Sequence, residues 1–384
     1  MRPDRVPVAV AAAGMGTFLN LYTPQAILPQ LADAFAVTPA AMGLAVTVSL
    51  LAIAGVAPFA GAVSDVLGRK RLIVGAAVAV IAPTLLVATA RSFAALLLWR
   101  FAQGLLLPFI FTVTVAYIGD ECSGAEAIRA AGMYASGSVA GGFAGRFIAG
   151  VAADLGGWRL GFAAVAGATA LAAAVVATML PPERNFRPVR GGVRATLRGW
   201  GEHARNPQLW GCCAVGAGML FSVVATFTFV NLRLAAPPFL LSPAALGSVF
   251  AVYLVGVVTT PLATRVAVDF GRVRTALLAV AVAATGEALT LPVFLPTVVL
   301  GLMAVCGGLF VMQALALGYI GVAVKQARSS AVGLYVAVYY VGGALGAVLP
   351  VPLWHAAGWP GCVALVCATI AAMGAAAAIT FRER

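Results

Sequence analysis

The chain repeats itself. Thr38-Pro39-Ala40-Ala41-Met42-Gly43 returns 204 residues later as Ser242-Pro243-Ala244-Ala245-Leu246-Gly247. Gly68-Arg69-Lys70-Arg71 returns at 203 as Gly271-Arg272-Val273-Arg274, and Tyr117-Ile118-Gly119 at 202 as Tyr319-Ile320-Gly321. Eight residues between 130 and 158 (Ala130, Gly132, Tyr134, Gly141, Gly142, Gly145, Gly157 and Trp158) match Ala331, Gly333, Tyr335, Gly342, Gly343, Gly346, Gly358 and Trp359 at 201. The offset drifts one residue at a time, as short loop deletions would make it. In an apolar chain, a parallel repeat of this size predicts two homologous bundles packed about an axis along the membrane normal.

Composition places the bundles. The chain is 62% hydrophobic and 9% charged, with a mean hydropathy of +1.02. A soluble domain carries about a quarter charged residues. Apolar runs recur that are long enough for a bilayer core of about 30 Å, which takes about 20 helical residues. They predict an all-α membrane protein of twelve transmembrane helices, at approximately 7–30, 40–63, 72–90, 93–117, 130–153, 159–180, 208–231, 243–264, 275–294, 296–318, 330–353 and 360–380. The runs are too long for barrel strands, which need only about ten residues. Residues 1–181 are read as an N-terminal six-helix bundle, 182–207 as an arginine-rich cytosolic linker, and 208–384 as a C-terminal six-helix bundle.

Basic residues set the orientation. With Met1 cytosolic, nineteen of the twenty-four Lys and Arg fall on the cytosolic side. Arg91, Arg159 and Arg233 fall outside, and Arg100 and Arg146 lie within helices. The positive-inside rule then predicts both termini in the cytosol. The net charge of +12 follows from topology and implies no nucleic acid. Arg2 and Arg5 precede an apolar run longer than a signal core, so that run is expected to stay as helix 1. The six cysteines form no C-x-x-C and none lies in an outer loop, so neither a disulfide framework nor a metal site is indicated.

The loop between helices 2 and 3 reads Gly61-x-x-x-Asp65-x-x-Gly68-Arg69-Lys70-Arg71. Its glycines permit a tight turn and close approach. This resembles the signature loop of the major facilitator superfamily at every defining position, and the whole chain is similar to bacterial efflux permeases within it. The resemblance implies the major facilitator fold and secondary transport. It also implies a charge latch between the halves in which Asp65 and Arg69 act with an acidic residue at the end of helix 4, here Asp120 or Glu121. The second copy is degraded: Val268 replaces the aspartate, and Asp269 stands one position on. Arg100-x-x-Gln103-Gly104 resembles the arginine motif of proton-coupled members. Gly137-x-x-x-Gly141-Gly142-x-x-Gly145 is similar to the glycine-rich motif of drug:proton antiporters, with Gly142 where the family's proline stands.

Residues that differ between the copies are the functional candidates. Gly141 and Gly145 recur as Gly342 and Gly346, a stripe that lets helices pack closely. Arg146, however, becomes Ala347, and Arg100 has no basic counterpart. An arginine near the bilayer centre costs about 2.5–3.5 kcal/mol on insertion scales. Each therefore is expected to snorkel, to pair, or to meet a substrate or coupling ion. Both lie about 10 Å below the outer face. Glu287, the one acidic residue well inside a predicted helix, is a candidate proton carrier or structural pair. Asn20, Gln25, Gln103, Asn231 and Gln313 lie in helices that line the cavity in the resembled family. Phe221, Phe227, Tyr335, Tyr339 and Tyr340 supply aromatic surface for an apolar pocket. Asp33, His203 and His355 are read as loop residues.

An enzyme would need a nucleophile–base or metal constellation, and a sensor a soluble signalling domain; the sequence offers neither. The expectation is a monomer without cofactor in the bacterial inner membrane, exporting a small organic solute by alternating access with proton antiport. A facilitated or symport uptake carrier is the alternative. Two arginines without a carboxylate at their depth point to an anionic solute, unless both merely bind backbone carbonyls.

Overall fold

Proline and glycine cut the apolar runs into helices. A computed structural model describes residues 5–38, 41–184, 192–324 and 328–381, which form helices and turns without a strand. Pro39 and Ala40 of the repeat, and Arg2, Arg187, Arg190, Lys325, Arg382 and Arg384 of the basic set, lie outside the described residues.

The helices are α1 (Arg5–Leu21), α2 (Leu28–Phe35), α3 (Leu44–Leu67), α4 (Arg69–Ala79), α5 (Ile81–Ala88), α6 (Phe93–Glu121), α7 (Gly124–Met179), α8 (Gly192–His203), α9 (Pro207–Ala235), α10 (Pro243–Val249), α11 (Val255–Phe270), α12 (Arg272–Leu289), α13 (Leu295–Ala323), α14 (Arg328–Gly346) and α15 (Val351–Thr380). Short 3₁₀ turns occupy Thr23–Ile27, Ala41–Gly43 and Phe250–Leu254. By length and composition eight of these helical runs can cross a membrane, and the bent run over Arg5–Phe35 makes a ninth. All twelve predicted segments lie mainly on helix.

Glycines of the repeat mark the breaks. Gly68 and Gly271 have φ of +95° and +82°, a region that side chains avoid. They separate α3 from α4 and α11 from α12. Gly157 and Gly358, with φ of +78° and +62°, break α7 and α15 into two arms each, and the tryptophan after each is buried. Each repeated Gly-Trp pair is thus a corner of the fold.

Four expectations are corrected. The predicted helix 7–30 is not continuous: Pro24 has no N–H for the Asn20 carbonyl, and the chain bends by 42° between α1 and the segment Thr23–Phe35. The linker contains a helix, α8, whose Trp200 indole donates to the Ser330 carbonyl at 3.2 Å. His203 and His355 are helical, in α8 and α15. Asp33 lies in α2, exposed.

Two compact units form. The first comprises Met1–Val37, Leu51–Thr196 and Ser242–Phe250; the second comprises Thr38–Leu50, Leu197–Leu241 and Ala251–Arg384. Each thus includes a short segment from the other half of the sequence, and each segment begins at the repeated Thr/Ser-Pro-Ala-Ala. In the first unit a Cβ on Gly247 would strike the Arg146 carbonyl; in the second a Cβ on Gly43 would strike that of Ala347. These contacts are related by the same repeat.

Within the first unit α1 lies on α7 at backbone distance. A Cβ on Gly137, Gly141 or Gly145 would run into the carbonyls of Ala11, Met15 or Leu19. In the second unit Gly342 and Gly346 meet the carbonyls of Ala217 and Phe221 in α9 the same way. Small residues here bring two helices close enough for dispersion contact along their backbones.

Candidate functional site

Within the first unit, a buried polar network fills the space between α1, α5, α6 and α7. Arg100 in α6 is wholly buried and donates to the carbonyls of Asn20 (2.9 Å) and Leu21, and to Gln103 Oε1 (2.6 Å). Asn20 donates to Thr169 Oγ1 (2.9 Å) and accepts from Thr84 (2.8 Å). Gln103 donates to Thr84 at 2.7 Å. The bend at Pro24 frees a carbonyl inside the membrane, and the arginine supplies the donor that water would supply elsewhere. Asn20 and Gln103 thus turn inward to this network.

Arg146 has a different setting. It is 1% exposed, and its guanidinium lies 4.6 Å from the Tyr22 ring centre and 4.1 Å from that of Phe250. Gln25 Oε1 accepts from Nε (2.9 Å) and Nη2 (2.7 Å), and the Gly142 carbonyl from Nη1. Two rings and one amide hold the cation in place with no carboxylate among these partners. At Gly142, where the resembled motif has proline, a Cβ would lie 3.6 Å from Arg146 Nη1, in ordinary van der Waals contact with that guanidinium.

In the second unit Glu287 of α12 is fully buried. Thr226 hydrogen-bonds its Oε1, and its Oε2 has no hydrogen-bond partner among the described residues. Asn231 is buried in α9. Gln313 donates to the Tyr339 hydroxyl at 3.1 Å. The Tyr339 ring stacks on Tyr335 at 5.9 Å and meets Tyr340 edge-on at 5.2 Å. Phe227 meets Tyr253 edge-on at 4.6 Å. Phe221 is buried against α14 through its backbone.

The signature loop is a compact charge cluster in the first unit. Arg69 pairs with Asp65 at 2.6 Å and Asp120 at 3.0 Å. It also donates to the Gly61 carbonyl and to Ser64 Oγ. Glu121 is engaged elsewhere, accepting the Arg184 amide on both oxygens at 3.0 Å.

Residues that escaped sequence reasoning include Tyr22, Thr84, Thr169, Thr226 and Phe250 in the buried sites, and Ser64, Glu183 and Asp154 outside them. Glu183 accepts the Lys70 amide at 2.7 Å at the start of α4. Asp154 of α7 accepts from Ser242 Oγ (2.9 Å) and the Ala244 amide (3.0 Å) at the start of α10. Both carboxylates sit where a helix dipole favours them. The available signal was scarcity, since only twelve acidic residues occur in the chain.

Comparison with known proteins agrees with this architecture. Residues 10–235 match the model of the Major Facilitator Superfamily. The inner membrane transport protein YnfM of Escherichia coli K12 is 32% identical over 94% of this chain and 87% of its own length. The uncharacterized MFS-type transporter YybF of Bacillus subtilis 168 is 27% identical over 94% and 90%. Among solved structures, a bacterial homolog of the human lysosomal transporter Spinster superposes with a TM-score of 0.81 at 16% identity, covering 99% of this chain and 98% of that one. The nucleoside transporter NupG superposes with 0.77 at 13% identity, covering 98% and 100%. These last two likenesses carry the fold alone. The chain is a membrane transporter rather than an enzyme, and it belongs to the Major Facilitator Superfamily.

Proposed function

We propose that the protein exports a small organic solute by proton antiport across the bacterial inner membrane, as a monomer with both termini cytosolic. The halves 1–181 and 208–384 are its two moving bodies, joined by 182–207. The observation that carries coupling is Glu287: a carboxyl buried among membrane helices, one oxygen of which has no hydrogen-bond partner among the described residues. Such groups are expensive in a bilayer, and proton relays are among the functions that retain them there. Purified protein in proteoliposomes, screened against a compound library with and without an imposed pH gradient, tests it. The expected result is flux that follows the gradient in the parent and loses that dependence in Glu287→Gln. Gradient-driven flux equal in both would remove the carboxyl from coupling.

Arg146 supplies the selectivity in this reading. A buried guanidinium with aromatic and amide neighbours favours a carboxylated or otherwise anionic solute over a lipophilic cation. Arg100, with its donors on carbonyls, holds the α1 bend instead. Competition by organic anions should weaken in Arg146→Gln; preferential transport of lipophilic cations, undiminished by that substitution, would dispose of the anion site.

Topology is tested with cysteines. Ala34→Cys should react with a membrane-impermeant thiol reagent in intact cells, and Gly201→Cys only after the cells are opened. Labelling of residue 201 from outside would overturn the map.

A further inference from the structure

The signature loop leaves two cations unaccounted for. Arg69 is fully engaged, whereas the neighbouring Lys70 and Arg71 side chains have no ion-pair partner among the described residues. Positive charge in the first turn of a helix opposes the macrodipole, and Glu183, not a base, caps this turn. The sign of the two residues suits a cytosolic loop. Their setting goes further. Lys70 and Arg71 line an open cleft of about 560 Å³ between α4 and the second arm of α7, lined also by Val74, Gly75 and Ala177 and by Pro182 and Glu183.

Cations at one end and apolar helix surface one turn deeper match the two ends of a phospholipid. The Glu183 carboxylate on the rim is turned to the backbone of α4: Oε2 takes the Lys70 amide, and Oε1 sits where a Gly68 side chain would be. The amide end of the helix offsets its charge, so the two bases dominate the entrance. We propose that this cleft is a docking site for an anionic phospholipid, with its phosphate on Lys70 and Arg71 and an acyl chain against Val74, Gly75 and Ala177. Basic pockets between membrane helices recognise acidic headgroups in this manner. A soluble phosphate would use the cations and leave the apolar wall unused. The site does not depend on which solute the protein carries or in which direction.

Native mass spectrometry of the purified full chain tests this, with phosphatidylglycerol, phosphatidylcholine and inorganic phosphate added separately. The parent should retain phosphatidylglycerol about tenfold more tightly than phosphatidylcholine. Lys70→Gln and Arg71→Gln should each weaken phosphatidylglycerol about fivefold, and the double variant should lose the preference. Lys70→Arg should keep it. Melting temperature without lipid serves as the folding control, and the single variants stand in if the double variant does not fold. Three results would overturn the proposal: equal retention of the two lipids by the parent, a preference unchanged in the variants, or stabilisation by millimolar inorganic phosphate alone.

Discussion

Arg100 donates to the carbonyl of Asn20 at 2.9 Å, the acceptor that Pro24 leaves without a backbone donor. The arginine and the proline lie 76 positions apart in sequence and are two parts of one device: a bend in a membrane helix with its freed carbonyl covered. Arg100→Gln uncovers the carbonyls of Asn20 and Leu21, and an unsatisfied buried acceptor costs about 1–3 kcal/mol. We expect a clear fall in melting temperature. Pro24→Ala restores an amide for Asn20, so in the Arg100→Gln background it should recover part of the loss. Strictly additive effects in this double-mutant cycle would separate the two residues.

The glycine stripes predict opposite outcomes at neighbouring positions. Gly145→Ala and Gly346→Ala each force a methyl against a backbone carbonyl, overpacking that typically costs about 1–3 kcal/mol. Gly132→Ala meets nothing within 4 Å and removes a poor helix former, so it should be neutral or stabilising. Thermal unfolding in detergent compares the three directly.

At the signature loop the effect should appear in rate and not in folding. Asp65 and Asp120 are 35% and 39% exposed, and pairs that open to water contribute little to stability. Asp65→Asn and Asp120→Asn should therefore express normally while transport slows severely, because the balance between conformations shifts. Parental flux in both variants would refute the latch.

Cys122, at the end of α6, offers a pH readout outside the membrane spans. Burial chiefly, and then the nearby Glu126 and Glu121 carboxylates, push its thiol above the usual range. The reactive thiolate is then scarcer at a given pH than for an ordinary cysteine. Maleimide labelling of Cys122, followed by peptide mass spectrometry, should be slow at pH 8, rise steadily as pH increases, and be faster in Glu126→Gln.

What was legible in the sequence was whatever the repeat or the hydropathy carried. Both tied one residue type to one period, so spans, glycine corners and the signature loop followed. The α1 bend was missed because Pro24 sits inside the stretch assigned to one helix, where the loss of a backbone hydrogen bond marks it. Asn20 and Gln103 were assigned to cavity-lining helices, yet their partners Thr84 and Thr169 come from α5 and α7. No local pattern brings those residues together. Glu183 and Asp154 were invisible for the same reason: each caps a helix start remote in sequence from itself.

The paired contacts of Gly247 on the Arg146 carbonyl and Gly43 on the Ala347 carbonyl place unequal demands on their members. A glycine is required on one side because nothing larger fits. On the other side only a carbonyl is touched, and every residue type has one. After duplication, positions 146 and 347 were therefore free to diverge without disturbing the crossing beneath them. One copy now carries a methyl group and the other a guanidinium, so the same crossing accommodates a buried charge in one half and none at the matching place in the other.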